Sequence, residues 1–543
     1  MSSCAAVALG LTSLVLCFGC DGAAPVDGHH GADAMPMDAM DHDGPSTEVV
    51  DHDGMDHDAP ADDVLAHDMT EHDMVGTDAM DHDGMSMVPA VIEVPASEGP
   101  FETTKATDLD PADHVVEVEL EAREADIVLV AGHAATRMWT YNGQLPGPRI
   151  EAHAGDTVRV RFTNSLPEAT TIHWHGIRVP AAMDGVAAMQ APVQPGATFT
   201  YEFVVPDAGT FWYHPHIRSD EQVERGLYGA FVVRGNDEPA TTSDRVVVLD
   251  DVLVDDGFQL APFSVDQAMT GRQGNLLLVN GRAHPIAPVA PGGLHRFRFV
   301  NASNARYFKL ELPGKPLVQI GTDGGLIEAP RQHQTLLLVP GERADVVIST
   351  SHTSSGSLTW KTLRYDRGHG TGDAPDAALF DLRFSGGMVH VTPTLPAQLG
   401  TVPTLPAAEV TRMLMLAETD GTGMADADAG HGGHGGGAGD GGPVFSINGK
   451  VFPDGEKFTA QLGAVEAWTI HNMSMMDHPF HLHGFRFQVD GDRAWRDTIN
   501  VPAMTMTTFR VRLEDHPGTW MFHCHILEHA ERGMMGELTV EAP

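Results

Sequence analysis

From about residue 112 onward the chain alternates apolar and polar residues with the period of a β-strand. Val158, Val160 and Phe162 are separated by Arg159 and Arg161, and Leu294, Phe297 and Phe299 repeat the pattern less strictly. The apolar stretches are short, Gly and Pro punctuate them, and helical periodicity is scarce. Three segments open with Asn-Gly, at Asn142-Gly143, Asn280-Gly281 and Asn448-Gly449. Each is followed by a second glycine (Gly155, Gly292, Gly463) and, nine residues later, by an asparagine (Asn164, Asn301, Asn472). Each unit then closes on a turn glycine and a further strand, at Gly209-Thr210-Phe211-Trp212, Gly356-Ser357-Leu358-Thr359 and Gly518-Thr519-Trp520-Met521.

Such a repeat predicts an all-β chain of three homologous Greek-key β-sandwich domains, at 112–236, 243–392 and 403–543. The Gly-rich stretch 421–442, with His431 and His434, reads as a flexible loop interrupting the third domain.

The first hundred residues have a different texture. Residues 5–19 form an apolar run ending at Cys20, too short for a comfortable membrane span and suited to a signal-peptide core over 1–20. Cys17-Phe18-Gly19-Cys20 loosely resembles a lipoprotein cleavage box, although Leu stands at 16 rather than 17. The expectation is export from a bacterial cell, to the periplasm or to a lipid anchor at the cell envelope through Cys20, the one membrane tether the sequence offers. Residues 21–111 read as a disordered tail and linker. Asp-His-Asp recurs at 41–43, 51–53, 56–58 and 81–83, with Met40, Met55, Met80 and Met85 beside these units. Spacers rarely repeat Met and His, soft and borderline metal ligands, so metal capture is expected of the tail.

Charge and cysteines narrow the picture further. A net charge of −42 argues against nucleic acid as a partner. Of four cysteines, three precede residue 21, which leaves no disulfide framework. Cys524 stands alone in the folded part.

The chemistry lies in what the repeats place at matched offsets. Nine and eleven residues after Asn164 come His173 and His175; the same offsets after Asn472 give His481 and His483; after Asn301 they give Leu310 and Leu312. Five residues after Gly209 and Gly518 begin His214-Pro215-His216 and His523-Cys524-His525, whereas Lys361 follows Gly356 at that offset. Residues i and i+2 of a strand share a face, so each His-x-His pair aims two imidazoles one way. Two such strands from each of two domains can surround a metal cluster at their interface, and eight imidazoles suffice for three copper ions. A second set lies near the C-terminus. His478, Cys524, His529 and Met534 provide two imidazoles, a thiolate and a thioether, the donor set of an electron-transfer copper. Cys524 sits between His523 and His525, so covalent structure links the two sites.

These motifs, His173-Trp174-His175-Gly176, His214-Pro215-His216, His478-Pro479-Phe480-His481-Leu482-His483 and His523-Cys524-His525-Ile526-Leu527-Glu528-His529, resemble the multicopper oxidase family, in its three-domain bacterial laccase and copper-efflux-oxidase branch. The resemblance implies cupredoxin-like domains and four copper ions. His478, Cys524, His529 and Met534 would hold the type 1 copper, and His173 and His481 the type 2. His175, His214 and His525 would hold one type 3 copper, and His216, His483 and His523 the other. Domain 2 would hold none. Asp184, in Met183-Asp184-Gly185, matches the family's proton-relaying acid.

Two departures stand out. Where many relatives carry Glu after the last type 1 histidine, this chain has Ala530, flanked by Glu528 and Glu531, which makes Glu528 a candidate for the proton path. Where copper-efflux oxidases carry a Met-rich insert, residues 421–442 contain only Met424.

The implied activity is oxidation of a small donor, Cu(I) or a phenol, coupled to reduction of O₂ to water by a monomeric enzyme. Cu(I) and a role in copper resistance are favoured by the tail and by Met473, Met475, Met476, Met504 and Met506, although ordinary packing is expected of at least Met475 and Met476. A broad laccase without a copper role, and a non-catalytic copper-sequestering protein, are the alternatives.

Overall fold

The computed structural model describes residues 88–351, 353, 355–390, 392–419 and 442–543. The expected signal segment, the tail to residue 87 and the loop 421–441 lie outside the described residues. The chain folds as three cupredoxin-like β-sandwiches. In the first, a sheet ordered Thr136–Tyr141, Val115–Ile127, Thr157–Asn164, Thr198–Val204 faces one ordered Gly147–His153, Gly229–Arg234, Gly209–His214, His173–His175. The second domain pairs six- and five-stranded sheets. The third faces a six-stranded sheet containing Val410–Thr419, Val465–Asn472 and Met506–Arg512 against one containing Gly518–Cys524, His478–Leu482 and Thr498–Val501.

The repeat has a physical basis at two positions. Asn and Gly of every Asn-Gly pair have positive φ, the signature of a type I′ hairpin turn. Each of these asparagines also accepts, through Oδ1, the backbone N–H of the domain's first strand, at Glu121, Val248 and Met415. The later asparagine is a buried staple. The Nδ2 groups of Asn164, Asn301 and Asn472 each donate to two backbone carbonyls, those of Glu168 and Val193, Arg306 and Leu338, and Met476 and Val501. In each domain that ties down the loop after the asparagine, which in domains 1 and 3 leads to a histidine-bearing strand.

Each domain has its own apolar core, built around Trp174, Trp360 and Trp468 respectively. Val158, Val160 and Phe162 bury their alternating face as expected. The weaker alternation of Leu294–Asn301 has a cause: this strand is buried on both faces. Its polar face carries Arg296 and Arg298, which pair with Asp345 and Asp244, and Thr210 of domain 1 donates to Asp345 (2.8 Å). Buried charges need such partners, since an ion stripped of water and left alone costs several kcal/mol, on the order of 3–5 when a partner is removed.

Two expectations change here. The linker was expected to be disordered through residue 111, but the chain is packed from Val88. Ile92 donates to Asn275 O, Ser97 bridges Pro285, and Phe101 lies in the core of domain 2. Val88, Ile92, Val94 and Phe101 supply apolar surface that an acidic spacer would lack. Lys361 was matched to His214 by counting, but Leu310 faces Thr362. Lys361 itself faces Glu311, and Leu310 and Leu312 point into the core as Trp174, Phe480 and Leu482 do, so the strand Phe308–Glu311 runs one residue out of phase with the count.

Candidate metal centres

The same strand pair carries the histidines in domains 1 and 3. His173 and His175 face His214 and Trp212 across one ladder; Phe480 and His481 face Cys524 and His523 across the other. These ladders bring all eight cluster histidines together. Ligand atoms of His175, His214 and His525 lie within 4.8 Å of one another, as do those of His216, His483 and His523, and of His173, His175 and His481. Each trio draws on both domains. A fourth group of the same compactness is His478, Cys524 and His529. There the Cys524 thiol lies 3.4 Å from His478 Nδ1 and 3.7 Å from His529 Nδ1, and the two Nδ1 atoms are 3.2 Å apart. Met534 is fully buried in the same core cluster as Cys524, and its carbonyl accepts the Cys524 N–H.

The donor set fits copper on physical grounds. His173 Nε2, His175 Nδ1, His214 Nε2, His481 Nε2 and both ring nitrogens of His525 are buried without a hydrogen-bond partner, a cost that a metal ion would relieve. Burial first, then neighbouring imidazoles, holds His175, His214, His216, His483, His523 and His525 well below the usual histidine range, so these rings are neutral and keep a lone pair to offer. His478 is lowered by burial to about 4. Burial pushes the Cys524 thiol up, so a thiolate there calls for a cation beside it.

The surrounding groups aim the rings. Ser474 Oγ lies 2.7 Å from His478 Nε2, the Met269 carbonyl lies 3.1 Å from His529 Nε2, and Phe445 stacks on the His529 ring. Asp184 is buried between two clusters of ligands: its Oδ2 lies 2.8 Å from His483 Nδ1 and its carbonyl 3.0 Å from His173 Nδ1. Glu528 is buried beside His529; its Oε1 accepts from Asn304 and its Oε2 has no hydrogen-bond partner, next to a cavity also lined by Asp220, Glu221 and Arg272. Glu531 caps the helix Ser219–Glu224 instead, accepting from Ser219 N and Oγ. Ala530 packs against Val186, Met521 and Met535.

Sequence reasoning missed Asp497. Its Oδ1 lies 3.1 Å from His175 Nε2, its carbonyl lies 2.9 Å from His481 Nδ1, and both its oxygens pair with Arg343 of domain 2. Burial opposes ionisation of Asp497, but Arg343 and His481 outweigh it and hold the carboxyl well below its usual range. Arg343 also donates to the Asp323 carbonyl and to Thr210 of domain 1. Neither residue falls at a repeat offset, so no sequence signal marked them. Of the methionines, Met476 is buried as expected, but Met475 is 64% exposed, contrary to the packing expected of it, and Met473, Met504 and Met506 are exposed too.

Three family models described as multicopper oxidase match residues 123–238, 244–358 and 435–543. The chain is 30% identical over 446 residues to "Multicopper oxidase MmcO" of Mycobacterium tuberculosis, covering 74% of this chain and 82% of that one. It is 28% identical over 472 residues to "Multicopper oxidase mco" of Staphylococcus aureus, covering 82% and 94%. Among solved structures, a multicopper oxidase of Campylobacter jejuni, described as a metallo-oxidase, matches with a TM-score of 0.72 at 29% identity, covering 84% of this chain and 100% of that one.

Proposed function

The chain belongs to the multicopper oxidase family, and from that premise we propose that it oxidises a small donor by single electrons, with Cu(I) as a physiological substrate, and reduces O₂ to water. The observation that carries the oxidase reading is the meeting, at one interface, of eight histidines from two domains beside a buried His₂Cys group joined to them through His523-Cys524-His525.

His478, Cys524, His529 and Met534 would hold a type 1 copper. His173 and His481 would hold a type 2 copper, His175, His214 and His525 one type 3 copper, and His216, His483 and His523 the other. Bound there, copper would supply one-electron acceptance at the first site and O₂ reduction at the second. The protein's own part is positional. Ser474 and the Met269 carbonyl fix the rings of His478 and His529 before any electron arrives. Asp184 orients His483 and keeps Oδ1 without a hydrogen bond of its own, which leaves an atom to take and pass a proton. Glu528 Oε2 has the same freedom on the side where the relatives' glutamate is replaced by Ala530. Four electrons, four protons and one O₂ give two waters.

Cu(I) is favoured over organic donors by the exposed thioethers of Met473, Met475, Met504 and Met506, and by the Met/His/Asp repeats of the tail. This reading implies export and a role in copper tolerance. The test is O₂ uptake by the copper-loaded full chain with Cu(I) or a substituted phenol as donor. The expected result is one O₂ consumed per four Cu(I) without free peroxide. Absence of turnover with either donor would leave a copper-sequestering protein, and turnover with phenol alone would leave a laccase. Deleting 21–87, which spares the packed residues from Val88, should leave phenol oxidation unchanged and weaken Cu(I) oxidation only at low free copper, because metal-binding Met, His and Asp side chains tethered to the enzyme raise the local copper concentration. Equal effects on both donors would make the tail a spacer.

A further inference from the structure

The outer face of the third domain's six-stranded sheet carries a feature that the two centres above do not use. In the ladder between Val410–Thr419 and Val465–Asn472, Met415 is the partner of His471; in the next ladder, between Val465–Asn472 and Met506–Arg512, His471 is the partner of Met506. Two thioethers and an imidazole therefore stand in one row across three hydrogen-bonded strands. The row faces away from the core: the adjacent pair Leu414 and Ile470 is fully buried, whereas Met415 is 40% and Met506 56% exposed, and His471 is half-buried. Met413 extends the face one step along the same strand, beside Thr469 and Thr508, whose hydroxyls bond each other. Met504 and Met473 lie exposed at its end.

An exposed strand face gains nothing from methionine. β-propensity there favours Thr and other β-branched residues, and water penalises a bare thioether chain. Among the described residues, eight methionines are exposed, and six of them (Met413, Met415, Met473, Met475, Met504, Met506) belong to this sheet and its loops. Neighbouring strands lie about 4.7–4.9 Å apart whether parallel or antiparallel, which lets two flexible thioethers close on one ion held by the imidazole between them.

We propose that Met415, His471 and Met506 form a surface site for a soft monovalent cation, Cu(I). Two sulfur donors and one imidazole nitrogen select Cu(I) over hard divalent ions, and no carboxylate in the row favours Mg²⁺ or Ca²⁺. The strands lead from this row to the His₂Cys group. Three residues beyond Met415, Glu418 Oε1 accepts the Met475 N–H, and its Oε2 lies 3.9 Å from His478 Nε2. That the bound ion is the oxidase's substrate rests on the reading above; the site itself does not.

The experiment uses the full chain with its catalytic coppers in place, methionine ε-methyl groups labelled for NMR, and Ag(I) as a soft, redox-inert probe. Single Leu substitutions assign the Met415 and Met506 resonances. Both should shift on one common Ag(I) saturation curve, and His471→Gln should weaken that curve at least tenfold. In turnover, Met415→Leu combined with Met506→Leu should raise KM for Cu(I) severalfold while leaving phenol oxidation unchanged. Methyl groups that stay unmoved when Ag(I) has saturated the rest of the chain would overturn the site. So would two unrelated saturation curves, or shifts on dilution without Ag(I), which would mean that a second copy covers this face. A common Ag(I) curve with an unchanged KM for Cu(I) supports the site and removes the substrate reading.

Discussion

The strand pair that carries the ligands in domains 1 and 3 exists in domain 2 with the opposite content. The sequence count sets Leu310 and Leu312 against His173, His175, His481 and His483, but in domain 2 both leucines lie in the domain's own core, on the strand face that Trp174, Phe480 and Leu482 occupy in the other two domains. One backbone geometry thus serves two ends. In domains 1 and 3 the outward face of the pair carries imidazoles that another domain's imidazoles meet; in domain 2 that face carries Lys309, Glu311 and Lys361, and the inward Leu310 and Leu312 are each worth about 1.5–3 kcal/mol on burial. Domain 2 contributes to the cluster by another route, from its opposite sheet, through Arg343 on Asp497. The fold repeats three times, and the chemistry depends on which surface each copy turns toward its neighbours.

The most severe way to break this comparison is at Cys524. Cys524→Ser replaces the soft thiolate with a hydroxyl, and should abolish the intense blue absorption and all oxidase activity while the far-ultraviolet spectrum and unfolding midpoint stay near those of the parent. Retained turnover with either donor would show that electrons do not pass through this residue.

Next in size is the support that domain 2 lends. Arg343→Met leaves Asp497 buried without its cation, a change that costs about 3–5 kcal/mol in comparable sites. Denaturant unfolding should show the loss, and metal analysis should show copper below the full complement because His175 and His481 lose their shared anchor. A variant with a full complement and unchanged stability would reduce domain 2 to a spacer.

These two residues also mark how far the sequence could be read. Paired histidines at matched offsets, and a cysteine between two of them, are legible because strand period and repeat phase convert directly into shared faces. Asp497 and Arg343 were not, since their role depends on how domains 2 and 3 pack, which no local pattern encodes. The same holds for the row Met415, His471 and Met506: its members come from three strands far apart in the chain, and only register unites them. Residues 88–101 were misjudged for a related reason, their apolar residues being too sparse to reveal that a neighbouring domain would cover them.

A third variant separates stability from metal. Leu310→Ala removes a fully buried side chain in domain 2 and should cost about 2–5 kcal/mol, read as a lower melting temperature. Copper per folded molecule and the blue band should be unchanged, because Leu310 packs inside the domain 2 core and belongs to no metal-ligand group. Copper lost in proportion to stability would mean that the domain 2 core and the cluster are one cooperative unit.

The finest test uses the repeated asparagines, where the three domains are chemically identical and only the surroundings differ. Asn301→Ala and Asn472→Ala each strip a buried amide that donates to two carbonyls, leaving acceptors whose desolvation costs about 1–3 kcal/mol apiece. Both variants should therefore be destabilised by similar amounts. They should differ in colour. Asn472 also accepts from Ser474 N and Oγ, and Ser474 Oγ lies 2.7 Å from His478 Nε2, so loss of Asn472 frees the loop that aims a proposed type 1 ligand. The blue band should shift or broaden in Asn472→Ala and stay fixed in Asn301→Ala, whose loop leads to Leu310. The same spectral change in both would mean that the asparagine acts through global stability alone; a shift confined to Asn472→Ala would mean that the repeat's staple had been recruited, in one domain of three, to hold a metal ligand in place.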